Sequence, residues 1–391
     1  MKKSKVISVL LCSVLLALLF MPYVHGQEAE EPVVLTYEEA QQKALSDILT
    51  VQDIDNIIRE MQGQRRDLQG AVRDTPTSSA RRREAQRDLN EFDRNIQGLR
   101  IQQEQAKTMA EFTLVRTIAS IAEHGLRLEL LEADLAQAED GLRRMEVMHE
   151  FGLASDRDLR SAQYNIAQYH TRLEESLRGK ESLRQELNAL LGLPLYQYTL
   201  VEHDMALPVF PEDLDLYIQA MVQEAPSIRN LQLEVYSALD DRWVYTGNHR
   251  DIVISARDRQ RAWADTRTTG ETGTREPTQE ILRLRNRLAL QEAVERAIQE
   301  RDQAKQILEA NIRQGFTDLY NLFVRQETLE TQLSQAEDAL DTILIEYNLG
   351  RITRVDVERA RLAIQRAEQD IELLSVQKWV QGFRLANPSL L

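Results

Sequence analysis

"EYNLGRITRVDVERA", residues 346–360, places Gly350 inside a segment otherwise built of helix-favouring residues. "MHEFGLASDRDLRSA", residues 148–162, does nearly the same 198 positions earlier, with Gly152. Glycine readily takes the left-handed conformation that ends a helix. Three residues past each glycine stands a hydroxyl, Ser155 or Thr353, and three further on an aspartate, Asp158 or Asp356. The hydroxyl can N-cap a returning helix. The aspartate completes a capping-box-like pair, although Glu or Gln is the usual partner. Each stretch therefore predicts a tight reversal between two helices.

Working outward, the apolar positions agree at the same offset. Leu159, Ala162, Ile166, Tyr169, Leu173 and Ser176 step by alternating threes and fours, and Val357, Ala360, Ile364, Ala367, Ile371 and Leu374 repeat those steps. Before the glycines, Leu131, Leu135, Ala138, Leu142 and Met145 pair with Leu329, Leu333, Ala336, Leu340 and Ile343. Such alternation averages ~3.5 residues per turn, the period of a left-handed coiled coil. The expected fold is all-α: two tandem copies of a long antiparallel helical hairpin. In the first copy a helix from about residue 104 to Glu150 would lead to the reversal. "LTYEEAQQKALSDILTVQDID" (35–55) and "LDLYIQAMVQEAPSIRNLQLEV" (214–235) read as shorter amphipathic helices opening the halves. The expected division is a leader at 1–26, a first repeat at 27–198 with its tip at 150–158, and a linker at 199–213. A second repeat at 214–391 carries an irregular insert at 243–280 and a tip at 348–356. "FRLANPSLL" stops the last helix at Pro388.

Composition fits this plan. Charged residues make up 28% of the chain against only 15 glycines and 9 prolines, the profile of long helices. The chain opens with Lys2, Lys3 and Lys5, an apolar run from Val6 to Phe20, and the small residues Val24 and Gly26. That order predicts an exported protein with a cleaved signal peptide. Cys12, the only cysteine, lies in this leader with Leu11 before it. The mature chain would hold no disulfide, zinc-thiolate site or cysteine nucleophile. Formal net charge is −15, and −18 without the three leader lysines. Such an acidic surface argues against nucleic acid and anionic lipid as partners. Past the leader, no stretch approaches the ~18 uninterrupted apolar residues of a membrane-spanning helix.

The tips and the openings together resemble the TolC-like outer-membrane efflux proteins. "YNLGRITRVDVERARLAIQRAEQDI" and "EFGLASDRDLRSAQYNIAQYHTRLEE" are similar to that family's tip with the Ala- and Gln-rich helix after it, "LTYEEAQQKALSDILT" to its opening motif, and "LNALLGLPL" to the close of its first half. The resemblance implies a homotrimer whose long helices wall a periplasmic duct beneath an outer-membrane β-barrel. It also implies docking of a periplasmic adaptor, and behind it an inner-membrane transporter, at the tips. Those positions here are Gly152, Leu153, Ser155, Asp158, Gly350, Thr353 and Asp356. No cofactor or metal is implied.

One stretch departs from the family pattern. Where the first pair of membrane strands belongs, residues 61–107 show a single aromatic, Phe92, and no alternation. Transmembrane strands need ~9–11 alternating residues with aromatic girdles, so this stretch reads instead as a charged helical hairpin turning at "TPTSS", 75–79. In the second half, "DIVISA" (251–256) and "ILRLRNRLAL" (281–290) alternate and fit a β-hairpin, but Ile281, Leu284 and Leu288 also share one helical face, the better reading for 281–290. Between them Arg257, Arg259, Arg261, Arg267 and Arg275 would make a costly lipid-facing surface. The barrel is expected to be absent or reduced. No nucleophile, phosphate-loop or zinc-protease motif occurs, so no enzyme is expected. His149 reads as packing near the tip, "RRR" at 81–83 as a solvated helix face or an anionic-partner patch, and Trp243 as packing or an interfacial anchor. The two functional expectations are a passive efflux duct and, as alternative, a barrel-less soluble periplasmic scaffold or regulatory partner of an efflux system.

Overall fold

In the computed structural model, the described residues are 33–46, 49–74, 80–202, 210–246 and 279–391. They form β1 (Val33–Thr36), α1 (Tyr37–Ser46), α2 (Leu49–Asp74), α3 (Ala80–Glu150) and α4 (Asp156–Leu190). Then come β2 (Thr199–Glu202), α5 (Leu214–Glu224), α6 (Pro226–Thr246), α7 (Gln279–Asn348), α8 (Arg354–Ala386) and a 3-10 turn at Pro388–Leu390. The leader, the turn at 75–79 and the possible strand at 251–256 lie outside the described residues. The all-α expectation holds, with the only strands among the described residues being two of four residues each.

Helix α3 runs 71 residues and α7 runs 70, each about 105 Å long at ~1.5 Å per residue. Helix α3 begins well before residue 104, because the charged stretch 80–107 is helical and continuous with the remainder of α3. Together α2 and the start of α3 occupy the segment where membrane strands were not expected, and both are helical there. Residues 281–290 are likewise helical, inside α7. The irregular insert is shorter at both ends than expected, since Trp243–Thr246 finish α6 and Gln279 starts α7. Pro226 divides the expected helix 214–235 in two: Ala225 leaves helical geometry at ψ 129°, and proline opens α6, as a residue preceding proline is pushed to do.

Towards the reversals, α4 packs on α3, α3 on α8 and α8 on α7. Towards the other end the order is α2, α3, α6, α7. The long helices α3 and α7 thus run through a wall one helix thick. Each residue of the four apolar stripes is buried or half-buried, while most positions between them are exposed. A stripe this narrow suits helix pairs rather than a globular interior. Polar cross-links reinforce the pairs: Arg366 bonds Asp134 between α8 and α3, and Arg229 Nη1 reaches Glu104 Oε2 at 2.7 Å between α6 and α3.

Two apolar cores sit midway along the wall. The first joins Leu35, Ala40 and Ala44 to Leu114, Val115 and Ile118 of α3, Leu187 and Leu191 at the end of α4, and Val376 and Trp379 of α8. The second gathers Ile218 and Val222 of α5, Ile228 of α6, Ile312, Phe316 and Leu319 of α7, and Leu385. Beside the first core, the expected linker carries a strand: β2 pairs in parallel with β1, Val33 opposite Thr199 through Thr36 opposite Glu202. Asn188, fully buried, donates from Nδ2 to the carbonyls of Pro194, Leu195 and Gln197 at 2.8–3.2 Å and so fixes the approach to β2.

Candidate functional site

Both reversals lie at one end of the wall, because α3 descends beside the ascending α8 with Asp134 level with Arg366 and Glu129 level with Gln369. Each is built by the same backbone bonds. Gly152 has φ +72°, its N–H donates to His149 O at 2.9 Å, and Leu153 N–H donates to Met148 O at 2.8 Å. Gly350 has φ +69°, with Gly350 N–H to Tyr347 O at 2.9 Å and Arg351 N–H to Glu346 O at 3.0 Å. These paired bonds satisfy the carbonyls a helix end would leave open. A Cβ at either glycine would meet nothing within 4 Å. Conformation, not space, selects glycine here, because a left-handed L-residue costs ~1–2 kcal/mol.

The returning helices start on the predicted caps. Asp158 Oδ2 accepts from Ser155 Oγ at 2.6 Å and from Ser155 N–H at 3.2 Å, and Asp158 N–H returns to Ser155 Oγ at 3.3 Å. Asp356 Oδ2 accepts from Thr353 Oγ1 at 2.6 Å and from Thr353 N–H at 3.0 Å. The hydroxyl bond first, and the backbone N–H second, hold both carboxyls below the usual aspartate range.

Beyond the caps the tips are apolar and open. Phe151 is 75% exposed, Leu153 73% and Leu349 62%. The aspartates and hydroxyls shape the loops, whereas these apolar side chains make up their exposed surface. Phe151 and Leu349 are equivalent at the 198 offset, but their exposure is a property of the folded loop, so periodicity alone did not single them out. His149 does more than pack: its Nε2 lies 2.6 Å from Asp156 Oδ1, across the first reversal. The second tip has Tyr347 and Arg354 at those positions. Among the described residues no cluster of His, Cys, Asp and Glu is arranged to hold a metal ion, and no helix is long and apolar enough to cross a membrane.

This architecture is shared with solved outer-membrane channels. The outer-membrane channel OprN matches with a TM-score of 0.60 at 16% identity, over 89% of each chain. The CmeC outer-membrane channel of Campylobacter jejuni matches with a TM-score of 0.60 at 10% identity, over 94% of this chain and 91% of that one. The outer-membrane protein VceC of Vibrio cholerae matches with a TM-score of 0.57 at 12% identity, over 90% of this chain and 94% of that one. At these identities the likeness is one of fold. No family model matches the chain, and no curated protein does.

Proposed function

We propose that this chain belongs to the TolC-like efflux family and serves as a passive export component of the cell envelope. In this reading copies associate edge to edge, α4 of one against α7 of the next, and close a wall around a water-filled lumen. A trimer is the number the family resemblance implies. The two reversals dock a periplasmic adaptor, which links the duct to an inner-membrane transporter. The protein is exported to the periplasm or envelope, moves solutes without chemistry of its own and needs no cofactor.

The observation that carries this reading is the wall one helix thick. Its helices spend their apolar stripes on their neighbours and leave two polar faces, as a wall with water on both sides requires. Its edges are unfinished: Tyr164 on α4 is 64% exposed, and Tyr320 on α7 is 60% exposed. Leu177 on α4 and Ile307 and Val324 on α7 are exposed as well, so each outermost helix carries more than a singly scattered apolar side chain, which suits association. Docking is assigned to Gly152, Leu153, Ser155, Gly350 and Thr353, with Asp158 and Asp356 holding the loops in shape.

Leu153→Glu tests the docking. It changes an exposed side chain with no packing to lose, so the helices stay intact by circular dichroism while co-purification of the cognate adaptor is lost. Undiminished co-purification would remove the tips from the interface.

A second reading, a barrel-less soluble periplasmic scaffold or regulatory partner of an efflux assembly, is favoured by one observation. Helices α2 and α3 occupy the stretch in which the family's first membrane strands would lie.

A further inference from the structure

A cleft between α3, α6 and α7 carries charges that the packing of the wall does not use. Its volume is about 510 Å³, inside the ~300–1,000 Å³ range of small-molecule sites. Ile101 of α3 and Ile228 and Leu233 of α6 give it an apolar lining, and Tyr236, 51% exposed, stands beside them. Three cations line it, Arg100, Arg229 and Lys305, and no aspartate or glutamate does.

The acids one turn away are already committed. Glu104, next to Arg100 along α3, accepts from Arg229 Nη1 at 2.7 Å. On α7, Asp302 pairs with Arg301 at 2.6 Å and Glu309 with Arg313 at 3.0 Å. Glu234 of α6 lines a different cleft. Arg100 and Lys305 are left with no hydrogen bond or ion pair to any described residue. Arg100 is exposed, so water can solvate it, but Lys305 is half-buried. A charge drawn out of water calls for an opposite charge. Gln232, also in the lining, adds a donor: its Oε1 accepts from Arg301 Nη1 at 2.9 Å, which leaves the N–H groups of its amide open. The adjoining cleft between α2, α3 and α6 makes the contrast. It is larger, about 720 Å³, but Glu91 and Glu234 line it, and its one cation, Arg94, is bonded to Asp240. No positive charge is spare there.

We propose that the cleft between α3, α6 and α7 binds a small amphiphilic anion, a sulfonate or carboxylate carried on an apolar body. Arg100 and Lys305 hold the anionic group, with the Gln232 amide as a neutral donor. The apolar body lies on Ile101, Ile228 and Leu233, with the Tyr236 ring at its side. Apolar lining with a few placed polar groups is the general make-up of such sites. The net charge of −15 does not oppose binding, because screening confines a charge's reach to about 8 Å at physiological salt. All the groups belong to one chain, so the site does not depend on how copies associate.

The test is a fluorescence titration of the processed protein with two probes that share one aromatic body. 8-Anilinonaphthalene-1-sulfonate carries the anionic group and N-phenyl-1-naphthylamine lacks it. The sulfonate is expected to bind at least about tenfold tighter, the scale of a hydrogen bond to a charged partner. Arg100→Gln with Lys305→Gln weakens the sulfonate about tenfold and leaves the neutral amine unchanged. The same exchanges at Arg116 and Arg127, exposed further along α3, change neither. Should the double variant lose helicity by circular dichroism, Arg100→Gln alone replaces it. That side chain is exposed and has no partner to lose, and about threefold weaker sulfonate binding is expected. Equal affinity for the two probes, sulfonate binding untouched by the cleft variants, or an equal loss of both probes would each overturn the proposal.

Discussion

Asp356 and Thr353 bond twice at the second reversal, hydroxyl to carboxylate at 2.6 Å and backbone N–H to the same oxygen at 3.0 Å. Both bonds favour the ionised aspartate, so its folded pKa lies below the unfolded value, as does that of Asp158. The stabilisation is therefore complete above the ordinary aspartate pKa of ~3.9 and is lost as pH falls through the lowered folded value. Hydrogen exchange at the tip amides should show local opening on acidification below about pH 4, before the helices melt. Asp158→Asn and Asp356→Asn should open the tips at neutral pH as well. Tip protection that is flat from pH 7 to pH 3 would contradict this.

The caps can also be tested by stability. Ser155→Ala removes the oxygen that accepts from Asp158 N–H and is expected to cost ~0.5–2 kcal/mol locally. Exchange should accelerate at the start of α4 and leave the mid-wall core untouched.

Gly315 lies where α7 and α8 approach closely. A Cβ there would come within 2.8 Å of Leu385 Cδ2, while Gln381 Nε2 donates to Gly315 O at 3.2 Å. Leu385 is buried in the second core, so it has little room to retreat. Gly315→Val should destabilise by ~1–3 kcal/mol through overpacking, read as a fall in Tm, even though glycine is a poor residue for a helix interior.

Leu114, fully buried in the first core, gives a contrasting result. Leu114→Ala should cost ~2–5 kcal/mol by leaving a cavity and should weaken α1, α4 and α8 together. Leu153→Ser at the exposed tip should leave thermal stability essentially unchanged.

Lys378 is completely buried, its Nζ bonded to Gln326 Oε1 and 4.7 Å from the centre of the Phe323 ring. Burial pushes its pKa below the ordinary lysine value. The lowered folded pKa means that stability rises as pH increases from that value to the unfolded ~10.4. Lys378→Met keeps the volume and should abolish this alkaline gain, at little or no cost in stability near neutral pH. Denaturant titrations of both proteins at pH 7 and pH 10 check it.

Much of this architecture was legible in the residues. The stripes from Leu131 to Met145 and from Val357 to Leu374 set which helix faces are covered, because helix pairing depends on local periodicity. The reversals were legible for a similar reason: glycine, hydroxyl and aspartate act within one turn of chain. The pairing of Val33 with Thr199 was not, because four-residue strands carry too short a pattern and their partners lie far apart in sequence. The bond from His149 to Asp156 spans a reversal, where helical spacing has no bearing on which side chains meet. The break at Ala225 did carry a signal, Pro226, outweighed by the apolar periodicity on either side.

The edge-to-edge wall is the central claim, and the solution mass of the processed protein, purified without detergent and measured by light scattering on a sizing column, tests it most directly. The account predicts a discrete trimer, with Tyr164 and Tyr320 of neighbouring copies protected from modification. A clean monomer at micromolar concentration would contradict it.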